Sequence, residues 1–81
     1  MRLDKFLQAT GVFKRRAAAK EACEQGRITV NQTIARAGKE VSPGQLIEIE
    51  EGEGRTKVEV LEVPSGNVSR SERARFIRIG E

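Results

Sequence analysis

With 81 residues and a net charge of +3, the chain has room for one small domain, its core near the lower limit for independent folding. A hydrophobic content of 37% argues against disorder; the single cysteine excludes an internal disulfide, and the lack of histidine removes the usual zinc-ligand sets. No apolar run reaches membrane-spanning length and no signal peptide is visible, so a soluble cytoplasmic protein is expected, with no membrane association, metal or cofactor.

The segment RLDKFLQATG reads as a short helix, with Leu3, Phe6 and Leu7 at helical spacing along one apolar stripe. Gly11 ends it, free to take positive φ. Val12 and Phe13 are expected to be buried in the connection. A second helix is expected from Lys14 to Gln25, closed by Gly26. At about 100° per residue, Ala19, Ala22 and Cys23 share one narrow face, suited to close packing on the first helix. Cys23 reads as a small buried hydrophobe, because no base stands near it in the pattern. On this reading Lys14, Arg15 and Arg16 occupy the helix's first turn, where the dipole is already positive and no side chain caps the backbone. Such a turn becomes favourable once an anion docks on it.

After Gly26 the period changes to two. RITVN is a strand with Ile28 and Val30 on one side, Asn31-Gln32 a hairpin turn, and a short return strand follows around Ile34. SPGQ at 42–45 is a turn, LIEIE a strand, EGEG an acidic loop, and TKVEVLEV a further strand. In that strand, the switch from Val58 and Val60 to Leu61 and Val63 suggests a bulge. PSGN breaks the pattern. The expected division is a domain over residues 1–63 and a C-terminal extension over 64–81 with a helical turn and a short strand at 76–79. The fold class is α+β: two N-terminal helices packed on a small, mostly antiparallel sheet.

Charge is segregated along this layout. Residues 1–39 hold nine Lys/Arg against three Asp/Glu, a net of +6; residues 40–63 are at −5 and residues 64–81 at +2. One strongly positive face points to a polyanionic partner. Aromatics make up only 4% of the chain, too few for a platform that stacks unpaired bases, so a sheet that reads single strands by stacking is disfavoured. Catalysis is disfavoured: there is no nucleophile–base pairing and no phosphate-binding glycine loop, and the carboxylates of EIEEGEGR belong to a solvated loop. The chain is not expected to be an enzyme.

RLDKFL, KRRAAAKEACEQGRITVN and AGKEVSPGQLIEI together resemble the alpha-L RNA-binding motif, or S-four domain, across about residues 2–50. The short form that opens MRLDKFL and carries KRR is similar to ribosome-quality-control factors, and is related to the fifteen-kilodalton ribosome-associated heat-shock family. The resemblance implies a monomer bound to the obstructed large ribosomal subunit, touching large-subunit rRNA and tRNA. There it would support C-terminal alanine tailing by an RqcH-type tailing factor. By the same resemblance, Arg2, Lys5, Lys14, Arg15, Arg16, Lys20 and Lys39 are RNA-contacting cations. Gln25, Gly26 and Arg27 form a corner where backbone nears RNA, and Asp4 orients Arg16. Asn31 matches the turn asparagine, either touching RNA or stabilising the turn. Two departures stand out: Gln32 replaces the family's glycine, leaving the turn type open, and basic residues replace a helix-start serine. The alternatives are a heat-shock-type large-subunit rescue or ribosome-assembly factor, or a protein-interaction module using the acidic sheet of residues 40–63.

Overall fold

The apolar stripe of the first segment becomes the centre of the core. In the computed structural model, which describes residues 1–80, helix α1 runs Leu3–Ala9. Seven residues are too few for a helix to persist alone. Leu3, Phe6 and Leu7 are each 0% exposed, so tertiary burial holds it. Thr10 closes the last turn, its hydroxyl donating to the Phe6 carbonyl at 2.8 Å. Val12 and Phe13 are half-buried against the core rather than sealed within it.

Helix α2 spans Arg16–Glu24, two residues later than its expected start at Lys14. The cause is non-local. The Phe13 N–H donates to the Leu7 carbonyl at 3.0 Å, tying the connection to the end of α1. Arg15 is then extended, with φ −125° and ψ 138°. Lys14 and Arg15 therefore precede the helix, and of the three cations only Arg16 lies in its first turn. Ala19, Ala22 and Cys23 are buried, as their shared face requires, and their small side chains let α1 and α2 approach. At the other end Gln25 is the cap and Gly26 takes φ +73°. The Gly26 N–H donates to the Cys23 carbonyl and the Arg27 N–H to the Ala22 carbonyl, both at 3.0 Å. These paired bonds form a Schellman motif, which turns the chain directly into the sheet.

Strands β1 (Ile28–Val30), β2 (Thr33–Ile34), β3 (Leu46–Glu51), β4 (Gly54–Val60) and β5 (Ile77–Gly80) form one antiparallel sheet in the order β2-β1-β3-β4-β5. The alternation of the sequence sorts its two faces. Ile28, Val30, Ile47, Ile49, Val58, Val60 and Ile77 bury themselves with the helices. The other face is a cross-strand lattice of opposite charge: Glu48 lies opposite Lys57, Glu50 opposite Arg55 and Glu59 opposite Arg78. Asn31 and Gln32, at the tip of the first hairpin, have φ 50° and 70°. Positive φ at both positions is the signature of a type I′ turn, so Gln32 adopts the conformation that glycine would take more easily. Beyond Val60, the Leu61 and Glu62 N–H groups both donate to the Phe76 carbonyl, at 2.8 and 3.2 Å. Two residues opposing one is the pattern of a bulge. The following chain runs beside α1, where the Val68 N–H donates to the Ala9 carbonyl at 2.9 Å. It then makes a 3-10 turn at Arg70–Glu72 and a single-turn helix α3 (Arg73–Phe76) before entering β5.

The architecture is thus α+β, with two main helices and one short one on an antiparallel sheet. No helix among the described residues is long and apolar enough to cross a membrane.

Candidate nucleic-acid interface

Asp4 is an acid placed where acids are rarely found, 2% exposed in the first turn of α1. Its carboxylate is fully engaged. Oδ1 accepts from the Lys5 N–H at 2.9 Å and from Arg2 Nε at 3.2 Å; Oδ2 accepts from Arg16 Nε at 3.2 Å. Burial pushes the Asp4 pKa up, but the Arg16 hydrogen bond, the Lys5 N–H and the charges of Arg16 and Arg2 outweigh it. The net result lies below the ordinary 3.8, so the group is an anion at neutral pH.

One buried carboxylate therefore holds two guanidinium groups side by side. Their side chains remain about half exposed, at 50% for Arg2 and 48% for Arg16. Arg16 spends only Nε on Asp4, and its two amino groups have no hydrogen-bond partner among the described residues. Unaided, two such cations would repel each other. Asp4 removes that penalty and fixes both rotamers, leaving donor-rich edges in solvent. Guanidinium edges of this kind match phosphate oxygens in bidentate geometry.

The loop after β2 closes against this pair. The Leu3 N–H donates to the Lys39 carbonyl at 2.8 Å and the Asp4 N–H to the Ala37 carbonyl at 3.1 Å. A Cβ on Gly38 would stand 3.8 Å from Arg2 Cζ, so the loop backbone lies beneath that guanidinium. The closure brings the backbone of Lys39 onto the start of α1, and Lys39 and Arg36 are both exposed. Lys20, four residues beyond Arg16 on α2, shares with Arg36 the rim of a groove of about 620 Å³ floored by Ala35, Ala37 and Gly38. Arg36 was not among the residues expected from the sequence. Its signal is the alternation in Ala35-Arg36-Ala37, where two small residues bury and the arginine between them must project.

Other expected positions are committed elsewhere. Lys5 Nζ donates to Gln8 Oε1 at 3.2 Å and to Asn67 Oδ1 at 3.1 Å, toward the C-terminal segment. Arg27 Nε donates to the Glu50 carbonyl at 3.0 Å and Nη1 to Gln25 Oε1 at 3.1 Å, stitching the Gly26 corner to the end of β3. Asn31 Oδ1 accepts from the Leu46 N–H at 2.8 Å, which fixes the turn. Lys14 and Arg15 are exposed without an ion pair among the described residues, just ahead of α2. Cys23 offers no chemistry. Burial first, then the negative charges of Asp4 and Glu24, push its thiol from 9.0 to about 11, so it stays protonated.

Residues 1–47 match the S4 domain family. The chain is 51% identical over 63 residues to the RQC P-site tRNA stabilizing factor of Halalkalibacterium halodurans, covering 78% of this chain and 72% of that protein. It is 37% identical over 78 residues to the protein of the same name from Helicobacter pylori, covering 95% of this chain and 93% of that one. Among solved structures, the trimeric heat shock protein 15 of Vibrio cholerae matches with a TM-score of 0.88 at 25% identity, over 99% of this chain and 81% of that one. The family match contains every member of the Arg2–Asp4–Arg16 cluster and the loop that closes on it. The chain belongs to the S4 family of RNA-binding domains.

Proposed function

We propose that this chain binds an obstructed large ribosomal subunit in the cytoplasm, as one copy, holding P-site tRNA against large-subunit rRNA. In that position it supports addition of C-terminal alanine tails by an RqcH-type tailing factor. The observation that carries the reading is the guanidinium pair organised on buried Asp4. It is a rigid, water-facing phosphate grip in a chain whose relatives bear the name RQC P-site tRNA stabilizing factor. Arg2 and Arg16 take backbone phosphates, and Lys20, Arg36 and Lys39 extend the contact along the loop. Lys14 and Arg15 reach from the approach to α2. Such contacts read the shape of structured RNA and position it without reading its sequence.

The test is a reconstituted tailing reaction on large subunits that carry peptidyl-tRNA, with a purified tailing factor. Adding the chain is expected to raise both tRNA retention and alanine incorporation, and the Arg16→Ala variant to do neither. Retention of tRNA without any gain in tailing would favour the alternative of a heat-shock-type large-subunit rescue factor.

A further inference from the structure

The C-terminal segment carries four arginines that fall into two kinds. Arg75 Nε donates to Glu62 Oε2 at 2.9 Å, and Arg78 lies 3.9 Å from Glu59, so these two are neutralised within the fold. Arg70 and Arg73 have no acidic partner among the described residues. They stand three residues apart, Arg70 opening the 3-10 turn and Arg73 opening α3. Arg73 Nε is buried and makes no hydrogen bond, the one side-chain polar atom among the described residues left in that state. A buried charged donor without an acceptor is costly and calls for an explanation.

Both side chains border a groove of about 380 Å³ with Ala74, Ile77 and Ile79. Its apolar floor lowers the local dielectric and strengthens whatever anion meets the two guanidiniums. The Val68–Ala9 and Lys5–Asn67 hydrogen bonds anchor the segment to α1, so the pair is held on the same scaffold as Arg2 and Asp4.

We propose that Arg70 and Arg73 form a second RNA-phosphate contact, additional to the Asp4-organised cluster, in which the Arg73 guanidinium swings out of its unsatisfied position onto a backbone phosphate. The proposal rests on the RNA-binding reading above and extends it to the C-terminal segment. RNA is favoured over an acidic protein because the first cluster already brings a polyphosphate to α1.

The test is binding of the full chain to purified large ribosomal subunits, and separately to deproteinised large-subunit rRNA, across a salt series. For the Arg70→Ala/Arg73→Ala variant, affinity is expected to fall about tenfold. The slope of log K against log salt should drop by about 1.5, as for two lost phosphate contacts, on both probes. The Arg75→Ala/Arg78→Ala variant should leave the slope unchanged. Arg70→Ala alone, at an exposed position, should give about half the slope change and guards against misfolding at Arg73. Unchanged slopes in both the double and the single variant, with binding still lost in Arg16→Ala, would overturn this proposal and spare the first reading. A change seen with subunits but not with rRNA would assign the pair to a ribosomal protein and also overturn it. Failure of the unaltered chain to bind either probe would end both.

Discussion

Asp4 is the residue whose loss should be felt twice, once in stability and once in binding. Replacing it by Asn keeps the shape and removes the charge that two guanidiniums share. A hydrogen bond to a charged group contributes about 1.5–3 kcal/mol, and Asp4→Asn should cost an amount in that range by urea unfolding at pH 7. The pH dependence follows from the direction of its shift. A folded-state pKa below 3.8 means that ionised Asp4 stabilises the fold above 3.8, and that this contribution disappears as pH falls through the folded value. The gap in stability between the unaltered chain and Asp4→Asn should be full at pH 7 and shrink below pH 3.8; a gap that widened in acid would contradict the assigned role. Gln32 is the opposite case, a residue that strains the fold. With φ at 70° it occupies the left-handed region, which costs a non-glycine residue about 1–2 kcal/mol. Gln32→Gly should therefore raise the thermal midpoint, with a gain of about 1 kcal/mol.

At the scale of elements, the corner between α2 and β1 depends on Gly26. Its φ of +73° sets the two Schellman bonds and hence where β1 enters the sheet. Gly26→Ala meets no atom within 4 Å, so any penalty is conformational. It should cost about 1 kcal/mol in urea unfolding, with little change in RNA affinity if the backbone holds. The two helical glycine stops, the buried stripe of α1 and the alternation of β1, β3 and β4 were all legible in the sequence, because turn chemistry and hydrophobic period are local properties. The start of α2 was not. Nothing near Lys14 announces that Phe13 is tied to Leu7, a bond that holds the connection against the end of α1 and leaves Lys14 and Arg15 ahead of the helix. With the later start, Arg16 is the one cation inside the first turn, and Asp4 neutralises it.

Over the whole molecule, the charge asymmetry of the sequence resolves into two differently managed surfaces. Of the acids of residues 40–63, Glu48 pairs with Arg55 at 3.2 Å and Glu59 with Arg78 at 3.9 Å across the sheet, while Glu40 meets the N-terminal amine and Glu62 meets Arg75. The cations of the helical side are not cancelled in this way: Lys14, Arg15, Lys20, Arg36 and Lys39 have no ion pairs among the described residues. Cations left unpaired on one side focus attraction on a polyanion, and the association should weaken steeply with salt. Sequence alone could identify most of these side chains, but not which of them the fold consumes. Arg27 goes to Glu50 and Lys5 to Asn67, through contacts between segments far apart in the chain.

The most direct test is co-sedimentation of the Arg16→Ala variant with large ribosomal subunits at about 0.1–0.15 M salt, alongside its circular dichroism and thermal melt. Arg16 is half exposed and its truncation opens no cavity in the core, so a native-like fold with binding reduced at least tenfold is expected. Sedimentation indistinguishable from that of the unaltered chain would contradict the central claim, that Asp4 organises a guanidinium pair to grip ribosomal RNA.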